Sequence, residues 1–276
     1  MKNLWSDTES NKFKGDLALR VYTSRLLGQD TSLVLHGGGN TSVKITETNL
    51  VSSKEDILHV KGSGWDLVSI EKDGFSPVRM AHMLSLSKLK SLSDPQMVNE
   101  LKTQLTNATS PTPSVETILH AILPFKYVDH THADAVVTIS NTSNGEERIR
   151  EIYGNRVVIV PYVMPGFDLA KEVGLLFSEM ASDETEGMVL LNHGIFSFGN
   201  TARESYERMI DLVNVAEQYL VSQNACDNEE TVSNIKSNKI RNDVSQLRQK
   251  ISSVAGNPVL LNLTNSQLGA SFSNRK

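Results

Sequence analysis

The sequence contains almost no cysteine: Cys226 is the single one among 276 residues. One thiol cannot form an internal disulfide, and it leaves too few sulfur ligands for a cysteine-rich zinc module. A metal ion would therefore have to bind through histidine, aspartate or glutamate. A chain with this cysteine usage suits a reducing compartment.

Long apolar runs are also missing. No stretch approaches membrane-spanning length, and residues 1–7 include Lys2 but are not followed by the apolar segment of a secretory leader. We therefore expect a cytoplasmic protein that has no membrane partner.

Basic residues are outnumbered by acidic ones: the chain has 27 Lys and Arg against 32 Asp and Glu, which gives a formal net charge of -5. A nucleic-acid backbone would require basic clusters, so we expect no nucleic-acid partner. With 39% hydrophobic residues, the chain can bury a sizeable core in one large domain or two small ones.

The most informative stretch covers residues 127–134 and contains His130 and His132. Side chains alternate between faces along a strand, so both imidazoles would project the same way and could bind one divalent cation. The alternative is that one histidine is solvated and the other is hydrogen-bonded in the interior.

A third histidine lies in a tight turn. The apolar runs 188–191 and 195–199 predict two strands joined by Asn192-His193-Gly194, which places His193 at the tip of the turn.

Two glycine-rich turns precede these histidines. The turn at 36–42 carries three glycines followed by Asn40, and residues 61–64 place Ser63 between glycines. Glycine lets the backbone approach a ligand, and the side chains can donate to an anion. The first turn could equally be a flexible hairpin loop.

A helix start is indicated near residue 112. Thr112 can cap a helix and Pro113 suits its first position, so Ser114 and Glu116 would lie in the first turn, where an anion is favoured. Glu116 could also be simply a favourable carboxylate at a helix start.

The remaining pattern predicts alternating strands and helices. Strands are expected at 32–35, 43–46, 57–60 and 157–160, helices at 16–27, 78–92, 169–180 and 202–222, and a charged turn at 141–150. The short apolar run 133–140 fits either a strand or a buried helix.

Five motifs, in this order, resemble those of the class II aldolase/adducin family. They are Gly38-Gly39-Asn40-Thr41-Ser42, Lys61-Gly62-Ser63-Gly64, Pro113-Ser114-Val115-Glu116, His130-Thr131-His132 and Asn192-His193-Gly194. The similarity is greatest to the aldolase portion of bifunctional rhamnulose-1-phosphate aldolase/short-chain dehydrogenases. No dinucleotide fingerprint follows a strand, so we expect no nicotinamide cofactor in this chain.

This resemblance implies an α/β fold of three layers, in which helices flank a central, mainly antiparallel sheet. Residues 1–225 would form the aldolase-like domain of a homotetramer. Residues 226–276 would form an extension with a helix and a short strand at 259–263, similar to a truncated connecting region.

The resemblance also implies the site. His130, His132 and His193 would bind one Zn²⁺ per chain, and Glu116 would be both a resting-state ligand and the catalytic acid/base. A phosphate would bind at Gly39, Asn40, Ser63, Gly64 and Ser114, although Val115 replaces the second hydroxyl residue of the family pattern. Tyr153 is a candidate for a proton donor from a neighbouring subunit.

The implied activity is zinc-dependent retro-aldol cleavage of a ketose 1-phosphate, such as rhamnulose 1-phosphate, to dihydroxyacetone phosphate and an aldehyde. Two alternatives stay open: a pentulose-phosphate 4-epimerase that uses the same chemistry, and a non-catalytic interaction module like the adducin head.

Overall fold

The computed structural model of the protein describes residues 1–225 and 237–261. The chain divides into two compact units, Met1–Gln223 and Asn224–Lys276. Cys226 lies outside the described residues. No helix in the described part of the chain combines the length and apolar character needed to cross a lipid bilayer.

Seven strands in the first unit form one sheet. They are β1 Asn40–Thr48, β2 Lys54–Lys61, β3 Phe75–Arg79, β4 Tyr127–Thr131, β5 Val157–Val160, β6 Gly187–Leu190 and β7 Gly194–Gly199. Their order is β3-β2-β1-β4-β7-β6-β5, and every neighbouring pair is antiparallel except β5 with β6. The expected mainly antiparallel sheet is confirmed.

The α-helices are distributed along the whole described chain. They are α1 Asp7–Ser10, α2 Asp16–Gly28, α3 Met80–Leu86, α4 Asp94–Thr103, α5 Thr117–Ile122, α6 Asp134–Ser140, α7 Gly145–Tyr153, α8 Phe167–Met180, α9 Ala202–Ser222 and α10 Ser237–Ala255. Short 3-10 helices lie at Leu67–Ser69, Lys72–Gly74 and Gly154–Arg156.

The two larger apolar cores lie on opposite faces of the sheet. Strand side chains alternate between the faces, so Val157 and Ile159 join a core with α2, α6, α7 and α9, whereas Val158 and Val160 join a core with α3, α4, α5 and α8. Helices thus cover both faces of the sheet, which confirms the expected three layers.

The register of the central strands positions the functional side chains. Asn40 on β1 lies opposite His130 on β4, and His130 lies opposite Phe196 on β7. Directly opposed residues share a face, so these three project toward α5. The next pair, Thr41 and Asp129, projects to the other face.

The helix expected from Thr112 begins later, because the preceding backbone pairs with the end of β2. Pro113 forms a bridge with Gly62, and the Ser63 amide donates to the Thr112 carbonyl at 2.8 Å. Helix α5 starts only at Thr117, with Glu116 as its N-cap residue. Ser114 and Glu116 therefore precede the helix, and the prediction that they lie in its first turn is wrong.

Further predictions of local structure in the first unit are also wrong. Residues 32–35 form a turn followed by irregular backbone instead of a strand, because the amides of Leu33 and Val34 both donate to the Asp30 carbonyl. Val78 belongs to β3, so the helix predicted over 78–92 is the shorter α3.

The charged turn predicted at 141–150 holds only for residues 141–144. The prediction is wrong for residues 145–150, which belong to α7, because Ile149 is buried in the core beneath a charged outer face. The ambiguous run 133–140 forms helix α6.

In the second unit, residues 259–261 do not form the predicted strand. The Val259 amide donates to Ser252 Oγ and its carbonyl accepts from Arg248, so side chains of α10 already occupy these backbone groups. Residues 262 and 263 of that prediction lie outside the described chain.

Candidate metal and substrate site

Three imidazoles meet at the end of the central strands. His130 lies on β4, His132 follows the end of this strand, and His193 lies in the turn between β6 and β7. One nitrogen of each lies within 4.8 Å of the other two, and Nε2 of His132 is 3.1 Å from Nε2 of His130. The structure thus brings together the residues that the two histidine motifs predict.

The turn that carries His193 fits tightly against β4. A Cβ atom on Gly194 would lie 2.4 Å from the Thr131 carbonyl oxygen and 3.0 Å from Cε1 of His130. Asn192 adopts a positive φ of 59° and completes the reversal. Only glycine at 194 lets the turn approach closely enough to place His193 beside His130.

His130 is held in one orientation. Its buried ring stacks on Phe196 with 4.2 Å between the centroids, and Nδ1 lies 3.1 Å from the Ile195 carbonyl oxygen. A carbonyl can only accept, so Nδ1 carries the proton and Nε2 presents a lone pair to the other histidines.

The carboxylate of Glu116 faces the same cluster and is buried. Its Oε2 lies 3.6 Å from Nε2 of His130, and its Oε1 lies 3.7 Å from Nε2 of His193. Asn40 Nδ2 donates to Oε2 at 2.6 Å. Within the described residues, Oε1 has no hydrogen-bond partner although it is buried. A cation among the three histidines would give this oxygen a partner.

Burial controls the protonation of these groups. It lowers the pKa of His193 to about 4 and holds the pKa of His130 well below its usual value, and neighbouring imidazoles add to both effects. Burial, followed by the charge of Lys61, lowers the pKa of His132. Burial raises the pKa of Glu116 to about 7, against the hydrogen bond from Asn40.

Neutral imidazoles are the form that binds metal, so the cluster fits a divalent cation. Nitrogen ligands favour zinc over magnesium or calcium.

A cavity of about 360 Å³ adjoins the cluster. All five residues predicted to bind phosphate line it, together with Glu116, His132 and His193; these five are Gly39, Asn40, Ser63, Gly64 and Ser114. The two glycine-rich turns and the segment before α5 therefore form one pocket, although their residues are distant in sequence.

Lys61 also lines this cavity; it belongs to the Lys61-Gly62-Ser63-Gly64 motif, but no role was predicted for it. The side chain is buried, and its ammonium donates to the Gly37 carbonyl at 2.9 Å. Burial lowers its pKa, whereas the charge of Asp66 opposes that shift. In the sequence, the clue to a ligand-binding role is that this lysine ends a predicted strand directly before the Gly62-Ser63-Gly64 turn.

Another residue for which no role was predicted is His120, which is fully buried on α5. Its Nε2 contacts Asn40 Oδ1, and its Nδ1 lies 2.8 Å from Ser42 Oγ. Burial lowers its pKa to about 3, and the charges of Lys44 and Arg20 add to the shift. In the sequence, the clue to a role for His120 is its position one helical turn after Glu116, which places both residues on the same side of a helix.

Tyr153 is unsuited to act as a proton donor from a neighbouring subunit. Its ring is buried in the core, and its hydroxyl donates to the Leu212 carbonyl at 2.8 Å. A side chain occupied in this way cannot donate a proton to a neighbouring subunit.

The shifted pKa values predict that acid destabilises the metal-free protein. The pKa values of about 4 for His193 and about 3 for His120 lie below 6.5, so the unfolded chain takes up protons that the folded chain excludes. The free energy of unfolding should therefore fall as pH drops below 6.5. Glu116 acts in the opposite sense, since its raised pKa favours the folded state at acid pH. This single stabilising group is outnumbered by four imidazoles whose lowered pKa values disfavour the folded state at acid pH: His120, His130, His132 and His193.

Thermal unfolding of chelator-treated protein at pH 6.5 and pH 5 measures this balance. We expect a lower Tm at pH 5, and an unchanged or higher Tm would contradict the assignment of these buried neutral imidazoles.

Comparison with known proteins identifies the family to which the chain belongs. Residues 18–220 match the family described as "Class II Aldolase and Adducin N-terminal domain". The chain is 45% identical to the structure of the N-terminal class II aldolase domain of a conserved protein from Thermoplasma acidophilum, with a TM-score of 0.73 and coverage of 80% of this chain and 99% of that one.

A sugar-phosphate aldolase from Thermotoga maritima shares the fold, with a TM-score of 0.55, 16% identity and coverage of 76% of this chain and 96% of that one. The chain is also 37% identical over 221 residues to the uncharacterized oxidoreductase YuxG of Bacillus subtilis. That match covers 80% of this chain but only 32% of YuxG, so the chain spans about a third of that relative's length.

A match to one part of a longer oxidoreductase agrees with the predicted similarity to the aldolase portion of bifunctional proteins. With the fold, the order of the motifs and the matched residues in agreement, the chain belongs to the class II aldolase and adducin N-terminal domain family.

Proposed function

We propose that the chain is a zinc-dependent aldolase that cleaves a ketose 1-phosphate, such as rhamnulose 1-phosphate, to dihydroxyacetone phosphate and an aldehyde. One observation carries this proposal: three imidazoles and a buried carboxylate with an unpaired oxygen converge beside a cavity. An interaction module has no need for such a combination.

His130, His132 and His193 would hold the metal. When bound, the ion supplies a Lewis acid for the substrate's carbonyl and hydroxyl oxygens. Three neutral ligands leave the charge of the ion largely uncompensated, which strengthens that effect.

Glu116 would move the proton. A general base works best when its pKa lies near the working pH, and burial brings the pKa of Glu116 to about 7. Asn40 occupies Oε2, so Oε1 is the oxygen available to take a proton from substrate and to return it.

The phosphate would occupy the part of the cavity formed by the two glycine-rich turns. Gly39 has a positive φ of 62°, and a Cβ atom there would lie 2.7 Å from the His130 carbonyl oxygen, so the turn needs glycine. Ser63 and Ser114 offer hydroxyl groups, and Lys61 offers a positive charge on the same wall. Lys61 would compensate for the hydroxyl that Val115 lacks.

The Lys61→Met substitution should therefore raise KM for the phosphate ester by roughly 10–100-fold, the usual effect of losing a charged hydrogen bond. Metal content should stay at the wild-type level. Lys12→Met is the control, because Lys12 is an exposed lysine that pairs with Glu9 and does not line the cavity. An unchanged KM in Lys61→Met would show that the phosphate binds elsewhere.

Elemental analysis and product analysis test the whole proposal. We expect one equivalent of zinc per chain and formation of dihydroxyacetone phosphate from rhamnulose 1-phosphate. Metal far below one equivalent, without uptake on reconstitution, would favour the interaction module. Inversion at C4 of a pentulose phosphate without cleavage would favour the epimerase.

We also propose a homotetramer, which rests on membership of the family alone. Light scattering of the purified chain measures its mass directly, and a monomer would contradict the proposal.

A further inference from the structure

The reaction proposed above makes no use of His120, although this residue lies directly behind the catalytic carboxylate. It is fully buried and contacts two residues of β1, Asn40 and Ser42. These two residues are two positions apart on one strand, so both project toward α5. Asn40 in turn contacts Glu116.

The chemistry of these four groups fixes the direction of every hydrogen bond. An ionised carboxylate only accepts, so Asn40 presents Nδ2 to Glu116 at 2.6 Å and turns Oδ1 toward His120. Oδ1 also only accepts, so Nε2 of His120 carries the proton. Its Nδ1 then has a free lone pair and accepts from the Ser42 hydroxyl at 2.8 Å.

We propose that His120 is a positioning residue that sets the orientation of the Asn40 amide and, through it, the placement of the Glu116 carboxylate. With its amide nitrogen fixed, Asn40 holds Oε2 and leaves Oε1 unpaired beside His193. This inference rests on the proposed role of Glu116 in proton transfer.

The packing around His120 supports a fixed orientation. Its ring centroid lies 5.5 Å from that of Phe196, which also stacks on His130. One aromatic ring therefore contacts both the positioning histidine and a metal-binding histidine. A rotated Asn40 amide would point Oδ1 at the carboxylate, and the two acceptors would repel each other.

Two substitutions of His120 distinguish a role in positioning Asn40 from a role that only fills space in the core. Glutamine at 120 reaches the place of Nε2 and can still donate to Asn40, whereas asparagine reaches only the place of Nδ1 and can pair only with Ser42. We expect His120→Asn to lower kcat by roughly 10–100-fold, as for other partners that orient a site residue. His120→Gln should retain most of the wild-type kcat.

Metal content and KM should stay at wild-type values in both variants. His82→Asn is the control for loss of an imidazole, because His82 pairs with Glu100 on the neighbouring helix. Equal kcat in the Asn and Gln variants would overturn the proposal, and loss of metal from either would show that His120 acts on the ligands instead.

Structural measurements test the positioning role of His120 without measuring enzyme activity. In crystals of metal-free His120→Asn, the Glu116 carboxylate should leave its contact with Asn40, and in His120→Gln it should stay. In the wild-type protein, nitrogen NMR should find the Nε2–H tautomer of His120, and an Nδ1–H tautomer would overturn the proposal. Failure of the wild-type protein to cleave any ketose phosphate would refute the proposed function alone, since both structural results would still test the positioning.

Discussion

Replacing Glu116 by glutamine should lower kcat by roughly 10²–10⁴-fold, the usual contribution of a positioned general base. Glutamine keeps the size of the side chain and one oxygen, but it cannot take up the proton. The three histidines stay in place, so metal content should remain near that of the wild type. Elemental analysis and cleavage rates on the same preparation measure both quantities.

Glu100→Gln provides the matched control for this substitution. Glu100 also pairs with a histidine, His82 at 2.7 Å, but it does not line the cavity. We expect normal turnover in this control. A fully active Glu116→Gln protein would show that another group moves the proton.

His132→Ala should abolish both metal binding and cleavage. Two histidines would have to hold the ion in competition with water, and structural or catalytic zinc sites normally use at least three protein ligands. The side chain of His132 follows the end of β4 and is partly exposed to solvent, although its ring contacts His130, so its removal leaves no enclosed void. The loss of activity should therefore occur without a large change in fold, which circular dichroism can verify.

His82→Ala serves as the control, since it removes a partly exposed imidazole far from the cluster in sequence. It should keep both metal and activity. If His132→Ala retains a full equivalent of tightly bound zinc, the ion is held by a different set of ligands.

The features predictable from the sequence are those that depend on local patterns. Period-2 alternation indicates β1, and a continuous apolar run indicates the buried strand β5. Apolar periodicity indicates α9 over its full length, and the Asn192-His193-Gly194 turn between two apolar runs indicates the β6–β7 hairpin. The family was indicated separately, by the resemblance of the five motifs and their order. Each signal comes from residues that are neighbours in the chain.

The features that could not be predicted depend on contacts between segments that are distant in the sequence. Thr112 and Pro113 carry a good helix-start signal, but pairing with Gly62 holds this backbone extended instead. Lys61 and His120 acquire their roles only when β1, β2 and α5 come together. The local signals at these two residues, a strand end and a spacing of one helical turn, do not specify which groups they contact.

The pairing of His130 with both Asn40 and Phe196 constrains how the length of this protein can change during evolution. One residue inserted into β4 would turn His130 to the opposite face of the sheet, into the core on that side. The connection between β1 and β2 is under no such constraint, because Leu50 and Val51 are exposed there. Insertions and deletions among descendants of this gene should therefore accumulate in that connection, and the three central strands should keep a constant length.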